Sequence, residues 1–93
     1  MSRWLRPYLA MDDERKRAHT KHAADGNSVE GAAWDAPLWL PILVEEVGEV
    51  AKELCDAWKC ASPDETRALL RGELVQVGAM TAAWIDAIDR MEI

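Results

Sequence analysis

The sequence predicts an all-α fold, a small helical bundle, on three observations. Apolar residues recur at three- and four-residue spacing through two long segments, as they do in amphipathic helices. No stretch shows sustained alternation of apolar and polar residues, so a sheet is not expected. The chain has 93 residues and shows no repeat or low-complexity tract, which favours one single domain over residues 1–93.

The first helix is predicted over residues 12–24. Acidic residues stand at its start, basic residues follow, and Gly26 can end it. A separate short helix around residues 4–9 would be limited by Pro7. Residues 26–35 contain two Gly with Asn and Ser, so we expect a loop that wraps over the helices.

The second helix is predicted over residues 38–59, with a start between Pro37 and Pro41. One broad arc of it is apolar, which predicts a face that packs in a core. The members of this arc are Leu40, Leu43, Val47, Val50, Ala51, Leu54 and Trp58.

The third helix is predicted over residues 63–91. Ser62 is the expected N-cap, Pro63 occupies the first helical position, and Glu65 completes a capping box. Its apolar positions also recur at helical spacing: Leu69, Leu70, Leu74, Val77, Met80, Trp84, Ile85, Ile88 and Met91.

Two long helices and a shorter one leave the bundle incomplete. A four-helix core built from two long helices of each of two chains would complete it. The sequence therefore predicts self-association into a homodimer or a homotetramer.

Charge and composition exclude several partners. A formal net charge of -6 disfavours binding to nucleic-acid polymers and to anionic membranes. The most apolar run, residues 36–44, is about half a membrane span. Cys55 and Cys60 are too few for a four-cysteine zinc site, and no disulfide between them is expected. We expect a reduced, cytoplasmic protein without a membrane partner.

Glu73 stands near the middle of the apolar arc of the third helix, since each residue advances by about 100°. Leu70 precedes it by one turn, and Val77 follows it by one turn. A buried, unpaired carboxylate is normally paired, protonated or bound to a metal ion. Gln76 lies beside Glu73 at the edge of the same face.

The second helix carries a complementary stripe of carboxylates. Glu46, Glu49 and Glu53 follow each other at helical spacing along the border of the apolar arc, and Glu45 lies just off the stripe. Their repulsion is tolerable when a divalent cation sits among them, and hard oxygen ligands suit Mg²⁺ or Mn²⁺. The alternative is a solvated helix face, which is the ordinary explanation for a Glu-rich stripe.

Two motifs carry a family resemblance. Glu45 and Glu46 followed by Glu49 resemble the EExxE motif of the MazG-like, all-α nucleotide pyrophosphohydrolases, and Glu73 with Gln76 resembles their ExxD motif. The similar region spans roughly residues 38–88. One motif on each of two consecutive helices is more specific than EExxE alone.

The resemblance implies a Mg²⁺-dependent enzyme that cleaves a nucleoside triphosphate between its α and β phosphates, giving a nucleoside monophosphate and pyrophosphate. It implies that Glu46, Glu49 and Glu73 are metal ligands, and that Glu45 is an outer ligand or a base that orients water. Gln76 replaces the family's Asp, and its neutral oxygen would bind Mg²⁺ more weakly.

Cationic residues beside the site would bind the phosphates. Among the basic residues of the first helix we favour Lys21 and His22, next to the loop, and Lys52 of the second helix, one turn beyond Gly48, is a further candidate. The other candidates of the first helix are Arg15, Lys16, Arg17 and His19. Trp39 is a candidate to stack on the base, as is Trp34 in the loop. The alternative for Trp39, and likewise for Trp58 and Trp84, is core packing.

Two other functions stay open at this point. The chain could be a non-catalytic helical dimer that acts as a protein-interaction module, or a nucleotide-binding protein that has lost turnover. The sequence does not identify the preferred base or sugar.

Overall fold

The structure, a computed structural model, describes residues 2–60 and 62–90. These residues form three helices, α1 (Arg6–Ala23), α2 (Trp39–Cys60) and α3 (Pro63–Arg90), and no strand occurs in the described part. The all-α prediction is therefore confirmed. No helix in the described ranges is both long enough and apolar enough to cross a membrane.

Helix α1 begins six residues earlier than predicted. Pro7 stands in its first turn, where a missing N–H breaks no intrahelical hydrogen bond. The expected short helix and the expected first helix are therefore one element, and the prediction that Pro7 limits a separate short helix was wrong. Gly26 follows the helix with a φ of 71°, a conformation that favours glycine.

The starts of α2 and α3 agree with prediction. Helix α2 begins at Trp39, between the two prolines. Helix α3 begins at Pro63, and the Ser62 hydroxyl accepts a hydrogen bond of 3.2 Å from the Glu65 backbone N–H. The predicted apolar position at Met91 lies outside the described residues.

Helix α3 lies at the centre, in contact with both other helices. Met11 packs against Gly78, where a Cβ would overlap the methionine side chain, and Arg15 reaches Asp86. The later residue of α1 contacts the later residue of α3, so α1 runs parallel to α3. Trp39 at the start of α2 stacks on Trp84 near the end of α3, whereas Glu53, later in α2, acts on Glu73, earlier in α3, so these two helices run antiparallel.

The core is centred on Trp39, which is fully buried and packs with Met80, Ala83 and Ala87. Its ring stacks on Trp84 with centroids 6.0 Å apart and an interplanar angle of 4°. The small alanines let α2 approach α3 closely at this end of the molecule.

The connection between α1 and α2 is held against the helices, as the prediction of a wrapping loop requires. The Trp39 indole N–H donates to the Ala33 carbonyl (2.7 Å), and the Trp84 indole N–H donates to the Trp34 carbonyl (2.8 Å). Arg15 bonds Glu30 of the same loop at 2.7 Å.

The apolar arc of α2 is only partly buried within one chain. Leu43 and Val50 are half-buried, whereas the other large side chains of the arc are exposed, Trp58 at 89 %. The helix turns toward α3 the face that holds Trp39, Glu46, Val50, Glu53 and Ala57, each buried or half-buried. The spacing was recognised correctly, but a single chain covers only one side of the helix pair.

Most of the exposed apolar residues of the two long helices lie on one side of the helix pair. In α2 several of them directly follow a residue that faces α3, as Val47 follows Glu46, and in α3 Leu74 follows Glu73 in the same way. One residue is a rotation of about 100°, and equal rotations in an antiparallel pair point to the same side. We call this surface the outer apolar face: Leu40, Val47, Leu54, Trp58, Leu74, Ile85 and Ile88.

Candidate metal centre

The packed faces of α2 and α3 bring the predicted carboxylates together. Burial raises the pKa of the Glu46 carboxyl, and the negative charges of Glu73, Glu45 and Glu49 raise it further. Burial also raises the pKa of Glu73, and the negative charges of Glu53 and Glu49 raise it further. The two motifs therefore form one electrostatically coupled cluster, although Glu46 and Glu73 are 27 residues apart along the chain.

One atom of this cluster is buried without a partner. The Glu46 Oε2 atom is inaccessible to solvent and has no hydrogen-bond partner among the described residues. A buried polar atom left unsatisfied costs about 1–3 kcal/mol, and more when it is charged. Proteins keep such an atom where another requirement outweighs stability, and a bound cation is one partner that satisfies a carboxylate oxygen.

Glu14 of α1 also belongs to the cluster, a residue for which the sequence analysis gave no role. It acts as a further negative neighbour of both Glu46 and Glu73. The half-buried positions of α1 recur at helical spacing and include Glu14 between Met11 and Ala18. The spacing of Met11, Glu14 and Ala18 could have indicated that Glu14 faces the other helices. The sequence analysis instead interpreted the acidic residues only as the start of the helix.

Glu53 is also part of the cluster, since it is half-buried and is the largest charged influence on the pKa of Glu73. The sequence had placed it on the α2 stripe without a ligand role. Gln76 is half-buried one turn after Glu73, which puts it beside that residue on α3. Glu45 and Glu49 are more exposed and lie at the open edge of the cluster.

The cluster is not a preformed metal cage. Across residues 2–60 and 62–90, no three His, Cys, Asp or Glu side chains are arranged so that they could hold one metal ion. The donor chemistry nevertheless fits Mg²⁺ or Mn²⁺, because every donor is a hard oxygen and Glu46 Oε2 needs a partner. Binding would require the carboxylates, which repel each other, to rotate toward a shared point.

Three predicted phosphate-binding residues are accessible. Lys21 and His22 are exposed in the last turn of α1, and Lys52 is exposed on α2. The charge of Lys21 lowers the pKa of Glu14, which places Lys21 on the side of α1 that faces the cluster. The His22 carbonyl accepts backbone N–H groups of Asp25 and Asn27, so this residue also ends the helix.

The prediction that Trp39 stacks on a nucleobase is corrected by its burial. Trp39 has 0 % of its surface exposed and stacks on Trp84, so no ring face is open to a ligand. Core packing, the alternative, applies to Trp39 and to the half-buried Trp84. Trp58 does not pack in the core of a single chain, because it lies 89 % exposed on the outer apolar face. Trp34 is 40 % exposed in the loop.

Comparisons with family models, with curated proteins and with solved structures give no match for this chain.

Proposed function

We propose that this chain is a Mg²⁺-dependent, MazG-like nucleoside triphosphate pyrophosphohydrolase that converts a (d)NTP to the (d)NMP and pyrophosphate. The observation that carries the proposal is the buried Glu46 Oε2, which has no hydrogen-bond partner in the described part of the chain and lies among the carboxylates of α2 and α3. A solvated helix face, the alternative for a Glu-rich stripe, does not account for an oxygen that solvent cannot reach.

Glu46 and Glu49 of α2 with Glu73 of α3 would hold the metal ion, and Gln76 would contribute a neutral oxygen. Bound Mg²⁺ supplies charge neutralisation at the triphosphate and lowers the pKa of a bound water. Manganese, with similar ligand preferences, would serve the same residues. Glu53 and Glu14 add negative charge around these ligands.

The chain's own groups divide the remaining work. Glu45, at the open edge of the cluster, accepts the proton of the attacking water. The oxygen of that water bonds to the phosphorus of the α or the β phosphate. The bond between the same phosphorus and the oxygen that bridges the two phosphates breaks, which releases pyrophosphate. Lys21, His22 and Lys52 are exposed cations that bind the phosphate oxygens and stabilise the leaving group.

A second copy of the chain is the proposed partner, in a homodimer or a homotetramer. The outer apolar face includes side chains that are half or more exposed, such as Leu40 (59 %) and Ile85 (53 %). Monomeric proteins rarely expose large contiguous apolar surfaces, and a second copy would cover these side chains. Two such faces together would give a four-helix core and place the acidic clusters on its outside.

The second candidate function is a non-catalytic nucleotide-binding or protein-interaction module. The neutral Gln76 in place of the family's Asp favours it, because it removes one negative ligand. For either function we propose a cytoplasmic location. The cytoplasm contains nucleotides, and its reducing conditions are compatible with the free, exposed Cys55.

The decisive experiment measures pyrophosphate release from each standard NTP and dNTP with Mg²⁺ and with EDTA. We expect release from at least one substrate, only with the metal, and a loss of at least tenfold in Glu73→Gln. Glu65→Gln makes the same chemical change at an exposed position of the same helix and should keep the activity. Nucleotide binding without release would favour the second candidate, and neither binding nor release would refute both nucleotide functions.

A further inference from the structure

The basic residues of α1 are not equivalent, although the sequence groups them in one charged run. Arg15 is engaged by the loop residue Glu30 and by Asp86 of α3, and its side chain is only 24 % exposed. Lys16 is paired with Asp12 at 2.9 Å, and a ring nitrogen of His19 lies 2.6 Å from the Ser28 hydroxyl. These residues serve the helix surface and the loop.

Arg17 is different because its partner is Glu14, a member of the acidic cluster. The Arg17 guanidinium uses two nitrogens on the two Glu14 oxygens, with Nε donating to Oε2 at 2.8 Å. The Glu14 side chain is only 17 % exposed, whereas Arg17 is 57 % exposed. Arg17 therefore lies at the rim of the cluster, with its guanidinium directed at a carboxylate that faces the proposed metal ligands.

Lys21 follows Arg17 by four residues, so the two cations stand one turn apart on the same face of α1. Both cations lower the pKa of the Glu14 carboxyl, Arg17 through its hydrogen bonds and charge and Lys21 through its charge. A metal-bound triphosphate presents several negative oxygens beyond those that the metal neutralises. A planar guanidinium binds two of them at once, which a lysine ammonium does not.

We propose that Arg17, with Lys21 beside it, binds the triphosphate of the substrate by exchanging Glu14 for phosphate oxygens, so that Arg17 is a substrate-binding residue that the sequence pattern did not distinguish from its basic neighbours. The inference rests on the proposed function, since it requires a polyphosphate at the carboxylate cluster. In the free protein Glu14 occupies the guanidinium and holds it in the binding orientation. Bound metal would favour the exchange, because it attracts the released carboxylate.

The test compares Arg17→Gln with Lys16→Gln, a neutralisation at the neighbouring, exposed position whose partner is Asp12. Steady-state pyrophosphate release should show KM raised at least tenfold in Arg17→Gln, with kcat changed less. The KM should be partly restored in Arg17→Lys and remain unchanged in Lys16→Gln. Calorimetric binding of an α,β-methylene nucleotide triphosphate with Ca²⁺ gives a second readout without turnover, and the same order of affinities is expected.

The outcomes separate the two proposals. An active wild-type protein whose KM and analogue affinity are the same in Arg17→Gln would overturn the role of Arg17 and leave the enzyme intact. Equal losses in Arg17→Gln and Lys16→Gln would also overturn it, since they would indicate a general charge effect. A wild-type protein that neither binds the analogue nor releases pyrophosphate would refute the proposed function and this inference together. A lower melting temperature with unchanged KM would make the Arg17 pair purely structural.

Discussion

Replacing Glu46 by Gln should stabilise the metal-free protein, although it removes a proposed ligand. The Glu46 carboxyl is half-buried, one of its oxygens has no partner, and Glu73 and Glu49 repel its charge. An unsatisfied buried polar atom costs about 1–3 kcal/mol. The Gln amide still buries a polar group, so we expect Glu46→Gln to recover only the lower part of that range, about 1 kcal/mol.

The pH dependence gives this prediction its sign. The pKa of Glu46 is raised in the folded state, so folded protein binds this proton more tightly than unfolded protein. Its contribution to stability is present below the unfolded pKa and is lost as pH rises through the raised folded pKa. The lowered pKa of Glu14 acts in the opposite direction, but it is present in both proteins and largely cancels in their difference.

Thermal unfolding followed by circular dichroism in EDTA, at fixed protein concentration, measures the effect. A change of 1 kcal/mol shifts the melting temperature of a domain of this size by about 4–8 °C. Glu46→Gln should melt higher than wild type at pH 7.5, and the difference should shrink toward pH 4.5. Saturating Mg²⁺ should raise the melting temperature of wild type more than that of the variant. A variant that is less stable than wild type at pH 7.5 in EDTA would refute the reasoning, as would a difference in melting temperature that does not vary with pH. Glu65→Gln, the same chemical change at an exposed position, is the matched control.

Three further perturbations test other parts of the structure. Gln76→Asp adds a charged oxygen beside Glu73, so it should tighten Mn²⁺ binding and raise pyrophosphate release at low Mg²⁺; identical metal dependence and rate would place residue 76 outside the working site. Val47→Asp puts a charge on the outer apolar face and should convert the assembly to monomer in sedimentation at micromolar concentration, whereas a wild-type protein that is already monomeric would contradict the proposed oligomer. Trp84→Phe removes the N–H bonded to the Trp34 carbonyl and should cost about 1 kcal/mol in urea unfolding while speeding amide hydrogen exchange in the loop, and unchanged exchange would show that this hydrogen bond does not hold the loop.

Local signals in the sequence predicted the helices and most of their boundaries. Helical spacing marks both long helices, and Ser62 with Pro63 defines the start of α3 because capping depends on neighbouring residues only. The pairing of the two carboxylate motifs was also readable, since consecutive helices joined by a short turn must pack antiparallel. The start of α1 was missed because a proline early in a helix is compatible with either a break or a first turn.

The tertiary structure decided which faces of the helices meet. Spacing alone shows that α2 has an apolar arc and an acidic stripe, but it does not say which of them packs against α3. In the fold the stripe with Glu46 and Glu53 turns inward and the arc with Val47 turns outward. Trp39 lies on this inward face and stacks on Trp84 of α3. The packing of α1 on α3 brings Glu14 to the same cluster, a proximity between residues distant in sequence. The sequence by itself therefore determined which residues are helical and which are acidic, while the packing of the helices determined that the half-buried Glu46, Glu53 and Glu73 meet in one cluster with Glu45 and Glu49 at its open edge.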